Sequence, residues 1–174
     1  MIHVYHGDGK GKTTAAMGLA LRAAANQKKV LVCQFLKDGS SGEIRLLQQL
    51  GSVSVLHDEP PMKFSFRMND GERAASRAQH DQNLASCIEA MRWGVADVVI
   101  LDEAMGALST ELLDPALLTQ ALDLSAGKAE GPELVLTGRN PPQFVLEAAD
   151  YVTQMTCERH PFEQGVRARR GIEF

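Results

Sequence analysis

The chain has 174 residues, which is the usual size of one folded domain, and we expect a single domain over residues 1–174. Its 18 Lys and Arg against 22 Asp and Glu give a formal net charge of −4, and this acidic balance argues against a dedicated nucleic-acid-binding protein. The sequence contains neither an apolar run of about 18 residues nor a basic leader before a long apolar stretch, so we expect no membrane-spanning helix and no secretory signal.

Strands and helices alternate in the first third of the chain. Residues 12–26 are rich in Ala and Leu, which are good helix formers. Residues 29–35 read KVLVCQF, a run of apolar and β-branched residues that is typical of a buried strand. In order, the predicted elements are a strand at Ile2–His6, a glycine-rich segment at Gly7–Gly11, a helix at Lys12–Asn26, a strand at Lys29–Phe35, a helix at Gly42–Leu50 and a strand at Ser52–Leu56.

A loop at His57–Asn69 interrupts this alternation, because it holds Pro60-Pro61 and two Phe without any period. The alternation then resumes, and Asp114 followed by Pro115 is typical of a helix start, with a capping side chain and then proline in the first turn. The predicted elements are a helix at Asp70–Trp93, a strand at Asp97–Leu101, a helix from Pro115 to about Ser125, a strand at Glu133–Thr137, a helix at Pro142–Ala148, a strand at Tyr151–Met155 and an irregular, Arg-rich segment at Thr156–Phe174.

Strands separated by helices are joined by right-handed crossovers, which place the strands parallel to one another with helices on both faces. The sequence therefore predicts a three-layer α/β fold with a mostly parallel, six-stranded sheet. Ligands of such sheets bind at the carboxyl ends of the strands. The ends of the first, second, fourth and fifth strands are the places to search for a site.

The end of the first strand carries a phosphate-binding motif. Gly11-Lys12-Thr13 fits the second half of the pattern G-x-x-x-x-G-K-[ST], whereas the position of its first glycine is occupied by His6, and Gly7 and Gly9 lie close by. In this motif the backbone N–H groups cradle phosphate oxygens, the lysine adds a positive charge and the hydroxyl contacts Mg²⁺. The alternative is a glycine-rich turn with a chance lysine. The motif predicts a P-loop NTPase fold of the RecA-like type.

The fourth predicted strand ends at Asp102-Glu103, where a carboxylate could hold Mg²⁺ directly or through water. The alternative is an acidic pair that caps the next turn. A hydrolase would also need a residue to position water, and Gln34 at the end of the second strand is a candidate, although a polar strand end is an equal interpretation. A nucleotide kinase would need an Arg-rich lid, which Arg67, Arg73 and Arg77 could supply.

Several segments together resemble the ATP:corrinoid adenosyltransferase family, which makes adenosylcobalamin from cob(I)alamin. They are GDGKGKTTAA at 7–16, QFLK at 34–37, LDE at 101–103, LTGR at 136–139, AAD at 148–150 and RHPFEQGVRARRGIEF at 159–174. The resemblance covers the whole chain, and its last segment is the most specific one.

The resemblance implies that Co(I) of a corrinoid attacks C5′ of ATP and expels tripolyphosphate, with Mg²⁺ as the cofactor. It implies catalytic roles for Lys12, Thr13 and Glu103, and metal contacts by Thr13, Asp102 and Glu103. The residues that it places around ATP are Gly7, Asp8, Gly9, Lys10, Gly11, Lys12, Thr13, Thr14, Arg22, Arg139 and His160. For Arg22 the alternative is a solvated helix residue, and for His160-Pro161 it is a simple turn.

The resemblance also implies that aromatic side chains at Phe64 and Phe66 pack against the corrin and displace the lower ligand of cobalt. Phe66 stands where relatives often have Trp, so the bulk is kept and the indole N–H is lost. The alternative is that both Phe anchor the loop Met62–Phe66 to the core.

The remaining expectations concern partners and location. The resemblance implies a homodimer and an electron-donating flavoprotein reductase as a partner. Because the first strand begins at Ile2, we expect an open site or one that a partner subunit covers. Cys33, Cys87 and Cys157 are odd in number and far apart, which suits a reducing cytoplasm. Alternative functions are a generic P-loop ATPase, a nucleotide kinase, and a non-catalytic carrier of corrinoid or ATP.

Overall fold

A computed structural model describes residues 1–59, 63–127 and 130–173. The predictions made for Pro60-Pro61, for Met62 and for Phe174 lie outside the described residues. The strands are β1 (Ile2–His6), β2 (Val30–Gln34), β3 (Val53–Leu56), β4 (Val98–Asp102), β5 (Glu133–Gly138) and β6 (Tyr151–Gln154). The helices are α1 (Lys12–Ala25), α2 (Gly42–Leu47), α3 (Asp70–Arg92), α4 (Ala104–Ser109), α5 (Pro115–Ser125) and α6 (Gln143–Ala148).

The six strands form one sheet in the order β3-β2-β4-β5-β1-β6. Each neighbouring pair is parallel, so the predicted three-layer α/β fold with a six-stranded sheet is confirmed, and the sheet is entirely parallel. β5 lies between β1 and β4, and it therefore separates the strand that precedes the glycine-rich loop from the strand that ends at Asp102. The carboxyl ends of the first, second, fourth and fifth strands, where the sequence predicts a site, therefore lie at the same edge of the sheet.

Alternating strand residues build two apolar layers, as the period of a β-strand requires. Val32, Ile100 and Val135 point to α1 and belong to the core on that face. Their neighbours point to α3 and α5 on the other face, where the larger core cluster lies. The strands β2, β4 and β5 are almost continuously apolar, as expected where both faces are covered, and their buried polar residues Gln34, Asp102 and Thr137 lie at or next to their carboxyl ends.

The element bounds differ from the predictions at a few places. The helix α4 was not predicted, and short 3₁₀ turns occur at Ser65–Arg67 and at Pro161–Gln164. A six-residue helix with a central glycine, AMGALS, carries too little periodicity to be recognised in a sequence. Among the residues that the model describes, no helix combines the length and the apolar character that crossing a bilayer requires.

Candidate active site

The glycine-rich segment between β1 and α1 forms a tight loop that only glycine can build. Gly7 and Gly11 have φ values of 112° and 114°, which side-chain-bearing residues rarely adopt. A Cβ on Gly7 would lie 2.3 Å from the carbonyl oxygen of Met155. The N–H of Gly9 donates to the same oxygen at 2.8 Å. The loop is thus held against the end of β6.

The first turn of α1 carries Lys12 and Thr13, the lysine and the hydroxyl residue of the motif. The Lys12 ammonium donates to the carbonyl oxygen of Gly9 at 2.7 Å, so its charge lies over the loop. Burial, and after it the nearby Arg139 guanidinium, lower the pKa of Lys12. Because α1 begins at Lys12, its unpaired N–H groups face the loop, which is the arrangement that binds phosphate.

Asp102 is the centre of the hydrogen-bond network and is fully buried. Its Oδ1 accepts from the hydroxyls of Thr13 at 2.8 Å and Thr137 at 2.7 Å. Its Oδ2 accepts from the amide of Gln34 at 2.9 Å and from the ammonium of Lys37 at 2.7 Å. Residues from β2, α1 and β5 therefore converge on one carboxylate.

The environment keeps Asp102 ionised. Burial alone raises the pKa of this carboxyl, but the Lys37 charge and the hydrogen bonds from Lys37, Thr137 and Thr13 outweigh burial and hold the pKa below its ordinary value. A carboxylate and a hydroxyl are the hard oxygen donors that Mg²⁺ prefers. Asp102 and Thr13 together therefore suit a divalent cation. In the structure the Lys37 ammonium lies beside both of them.

Glu103 directly precedes α4, and its pKa is shifted in the opposite direction from that of Asp102. Its φ of 61° lies in the left-handed region, and its N–H donates to the Thr137 hydroxyl at 2.9 Å. A Cβ on Gly106 would lie 2.9 Å from Glu103 Oε1, so the Glu103 carboxyl packs directly over this glycine. Burial, and then the charge of Asp102, raise the pKa of Glu103. Of the two adjacent acids, Asp102 therefore has a lowered pKa and Glu103 a raised one.

Sequence reasoning missed two members of this network. Lys37 and Thr137 were not singled out as site residues, although the motifs QFLK and LTGR contain them. Gln34 was considered for positioning water, whereas its amide donates to Asp102 and its Oε1 has no partner among the described residues. The signal that could have found them is their place at the carboxyl ends of β2 and β5.

The segment after β6 folds back over the loop. The N–H of Cys157 donates to Asp8 at 3.2 Å, and the Lys10 ammonium lies 3.7 Å from Glu173. His160 accepts a hydrogen bond from the N–H of Phe162 and lines a cavity of about 600 Å³ beside Lys10. The phosphate loop and this segment therefore form one continuous surface.

The other predicted residues divide into two groups. Arg139 directly follows β5, and its charge acts on Lys12 and on Glu103, while Thr14 is an exposed residue in the first turn of α1. Arg22 lies ten residues beyond Lys12 on α1, which is about 15 Å along the helix axis. It lines a cavity with Val98 at the beginning of β4. The structure does not bring Arg22 to the loop within one copy of the chain.

Phe64 and Phe66 are exposed, with 69% and 77% of their surface accessible. Their rings are stacked, with centroids 5.5 Å apart, and the Arg67 guanidinium lies 5.6 Å from the centroid of Phe66. The Arg73 guanidinium links this turn to the end of α4, because it donates to the carbonyl oxygen of Ser65 at 3.5 Å and to that of Thr110 at 2.6 Å. The alternative, in which the two rings anchor the loop to the core, does not agree with this exposure.

Comparison with known proteins gives a consistent result. The model of the family described as ATP:corrinoid adenosyltransferase BtuR/CobO/CobP matches residues 1–174. A corrinoid adenosyltransferase from Sinorhizobium sp is 33% identical over 179 residues, which covers 100% of this chain and 80% of the relative. The corrinoid adenosyltransferase of Escherichia coli strain K12 is 32% identical, and corrinoid adenosyltransferase CobA of Salmonella typhimurium is 31% identical; each match covers 100% of this chain and 85% of the relative.

Proposed function

The chain belongs to the ATP:corrinoid adenosyltransferase family, and from this premise we propose which of its residues carry the reaction. As an adenosyltransferase it moves the 5′-deoxyadenosyl group of ATP to a corrinoid. The Co(I) electron pair forms the new bond to C5′, and the electrons of the broken C5′–O bond leave with tripolyphosphate. Such a reaction needs positioning and charge stabilisation more than a protein base.

The phosphate loop binds the triphosphate of ATP. The observation that carries this proposal is the hydrogen bond from Thr13 to Asp102, because it joins the start of α1 to the acidic end of β4. Around that bond the loop backbone at 7–11, Lys12 and Thr14 are placed to donate to phosphate oxygens. Lys12 and Thr13 stabilise the negative charge that gathers on the leaving group.

Thr13 and Asp102 hold Mg²⁺, with Glu103 next to them. The carboxylate and hydroxyl oxygens, the depressed pKa of Asp102 and its proximity to the phosphate loop support this assignment. When bound, Mg²⁺ neutralises charge on the tripolyphosphate leaving group. Glu103 then contacts the metal or the ribose of ATP.

The residues at the rim of the site complete the ATP pocket. Asp8 and Lys10 are tied to the segment after β6, which supports a role for this segment and for His160 in closing over the nucleotide. Arg139 supports the same pocket, because its charge already acts on Lys12 and Glu103.

Phe64 and Phe66 contact the corrin. Their exposure and their parallel stacking support this proposal, because a flat aromatic pair in water is suited to a flat, apolar ligand face. Apolar bulk at this position displaces the lower ligand of cobalt, which makes Co(II) easier to reduce.

The kinase alternative finds no support in the arginines that would form its lid. Arg73 donates to the Thr110 carbonyl at 2.6 Å, Arg67 lies over the Phe66 ring, and Arg77 lies 3.6 Å from Asp81. All three are engaged on the α3 side of the molecule. The hydrolase alternative is also weak, because the Gln34 side chain is fully buried and is turned to Asp102, to which its amide N–H donates.

The proposed setting is a cytoplasmic homodimer that receives electrons from a flavoprotein reductase. The exposed apolar residues Tyr151 and Val152 on the edge strand β6 support self-association. The three free cysteines support a reducing compartment. A reductase is required by the chemistry, because the nucleophile is Co(I).

The experiment is to mix the chain with Mg-ATP and chemically reduced corrinoid. A light-sensitive adenosylated corrinoid and tripolyphosphate are expected in equal amounts. Release of orthophosphate at a comparable rate without corrinoid would identify a generic ATPase, and ADP formed with an added nucleoside would identify a kinase. Tight binding of ATP and corrinoid without turnover would identify a carrier.

A further inference from the structure

The Lys37 ammonium lies between the two groups that the proposed metal site needs. Its Nζ is 2.7 Å from Oδ2 of Asp102 and 3.3 Å from the Thr13 hydroxyl oxygen. Asp102 is fully buried, and the side chain of Lys37 is 29% exposed. A single positive charge thus bridges the acid of β4 and the hydroxyl of α1.

The hydrogen-bond directions show that the Lys37 ammonium uses the oxygens that a bound metal ion would use. The Thr13 hydroxyl donates its proton to Oδ1 of Asp102 and accepts from Lys37 with a lone pair. A divalent cation would use the same lone pair of Thr13 and a carboxylate oxygen of Asp102. An ammonium and a divalent cation cannot share these oxygens, because two positive charges a few ångströms apart repel strongly in a buried site.

The backbone around Lys37 is fixed, so only its side chain would have to move for the ammonium to leave Asp102. Leu36, the residue before it, has a φ of 57°, and the carbonyl oxygen of Lys37 accepts from the N–H of Asp58 at 3.0 Å. Asp58 is itself buried against His80, with 2.8 Å between the carboxylate and Nε2. The flexible four-carbon stem of a lysine can then carry the ammonium between two positions.

We propose that Lys37 is a resident cation, which holds the metal position between Asp102 and Thr13 while no nucleotide is bound and which moves to the tripolyphosphate when Mg-ATP enters. Without a cation, Asp102 would be a buried charge with no ionic partner, which is strongly destabilising. Lys37 therefore balances the charge of Asp102 before nucleotide binds, discourages binding of a divalent cation alone, and supplies a second positive charge once the leaving group is present. This inference rests on the proposed binding of Mg-ATP at the phosphate loop.

The first test measures binding of Mn²⁺ alone, without nucleotide, by electron paramagnetic resonance. Lys37→Met is expected to bind Mn²⁺ about tenfold or more tightly than the wild type, because it removes a competing charge from a buried carboxylate. Lys37→Arg keeps the charge and is expected to show no gain. Lys28→Met is the matched control, since Lys28 pairs with Asp97 at 4.0 Å, away from Asp102.

The gain must also disappear in the double variant Lys37→Met with Asp102→Asn, which assigns the bound Mn²⁺ to Asp102. Circular dichroism and urea unfolding check that each variant is folded. A folded Lys37→Met protein whose Mn²⁺ affinity equals that of the wild type and of Lys28→Met would overturn the inference.

The second test measures the wild-type protein, and a charge-conserving variant serves only to assign the signal. Lysine labelled with ¹³C at Cε gives a signal for Lys37, which is assigned by its loss in Lys37→Arg. We expect this signal to shift on addition of Mg-ATP and to stay unchanged on addition of the same concentration of Mg²⁺ alone. Bound ATP, measured by calorimetry, with an unmoved Lys37 signal would overturn the inference only, whereas no ATP binding would overturn the proposed function itself.

Discussion

The hydroxyl of Thr13 donates a 2.8 Å hydrogen bond to Oδ1 of Asp102, a residue 89 positions later in the chain. The bond passes above β5, which lies between β1 and β4 in the sheet. Thr137 at the end of β5 donates to the same oxygen. The middle strand therefore supports a contact between the two motifs on either side of it.

Replacement of Thr137 by Val is expected to weaken both stability and ATP binding. The change removes a donor from Asp102 and an acceptor from the N–H of Glu103. Leaving such buried groups unpaired costs about 1–3 kcal/mol each. Urea unfolding and calorimetric titration with Mg-ATP measure the two effects. Thr137→Ser keeps the hydroxyl and should restore most of both, and equal losses in Ser and Val variants would show that the hydroxyl is not responsible.

Replacement of Lys12 by Ala is expected to reduce kcat/KM for adenosyl transfer by about 100-fold or more, as for the loss of a charged group that stabilises a developing anion. The assay follows the light-sensitive product from pre-reduced Co(I). Lys28→Ala, a surface lysine paired with Asp97, is the control. Unchanged transfer by a folded Lys12→Ala protein would refute the phosphate role of Lys12.

Replacement of Gly7 by Ala is expected to destabilise the fold. The φ of 112° alone costs a residue with a side chain about 1–3 kcal/mol, and the added Cβ would also meet the Met155 oxygen at 2.3 Å. Gly18→Ala is the control, because Gly18 lies inside α1 with open space around it. That variant should be more stable by about 0.5–1 kcal/mol. Similar unfolding midpoints for both variants in urea would contradict the tight loop.

Replacement of Phe64 by Ala is expected to change the rate of adenosyl transfer in one assay and not in another. Reaction with pre-reduced Co(I) should be nearly unchanged, whereas reaction that starts from Co(II) with a reductant should fall, because the proposed role of the ring is to displace the lower ligand of cobalt. Stability should change by less than about 0.5 kcal/mol, since the side chain is exposed.

Trp93→Ala is the control for Phe64, because Trp93 is a similarly exposed aromatic residue at the end of α3, ahead of β4. It should leave both assays unchanged. Equal losses in the Co(I) and Co(II) assays of Phe64→Ala would reject ligand displacement.

The acid pair predicts a pH dependence of stability. Burial and the charge of Asp102 raise the folded-state pKa of Glu103 above its ordinary value of 4.5. The folded state therefore binds more protons than the unfolded state between these two values, and stability falls as pH rises from 4.5 through the raised pKa. Asp102 acts in the other direction. Its folded-state pKa lies below the ordinary value of 3.8, so the stability that its ionised form contributes is lost as pH falls below 3.8.

Glu103→Gln isolates the first of these effects. The free energy of unfolding, measured in urea from pH 4.5 to pH 7, should decrease less for this variant than for the wild type, so the difference between them grows with pH. Glu43→Gln, an acid in the first turn of α2, is the control and should follow the wild type. Parallel curves for the wild type and Glu103→Gln would show that burial does not perturb Glu103.

The sequence predicted the parts of the site that are contiguous in the chain. The loop at 7–14 and the pair Asp102-Glu103 each follow an apolar strand, and the parallel sheet brings their ends to one edge. Lys37 and Thr137 also lie near strand ends, but they carry no motif of their own, and their roles depend on pairings with Asp102, 65 and 35 positions away in the chain. The helix α4 escaped prediction because its six residues are too few to show a period.

Arg22 stays a prediction. The resemblance implied that it contacts the nucleoside or the phosphates, and it lies on the helix that begins at Lys12. The rise of an α-helix carries it about 15 Å away, to the side of the sheet where β4 begins. Helical periodicity indicates which face of a helix a residue occupies. It does not indicate how far along the helix the residue lies from a site.

The contact between Gly9 and Met155 also sets the order in which a newly made chain can become active. β1 pairs only with β5 and β6 among the described strands, so it stays without neighbouring strands until these two strands have been made. The phosphate loop gains its support at Met155 at the same late moment. A chain cut short before β6 would therefore lack the contact that holds the phosphate loop.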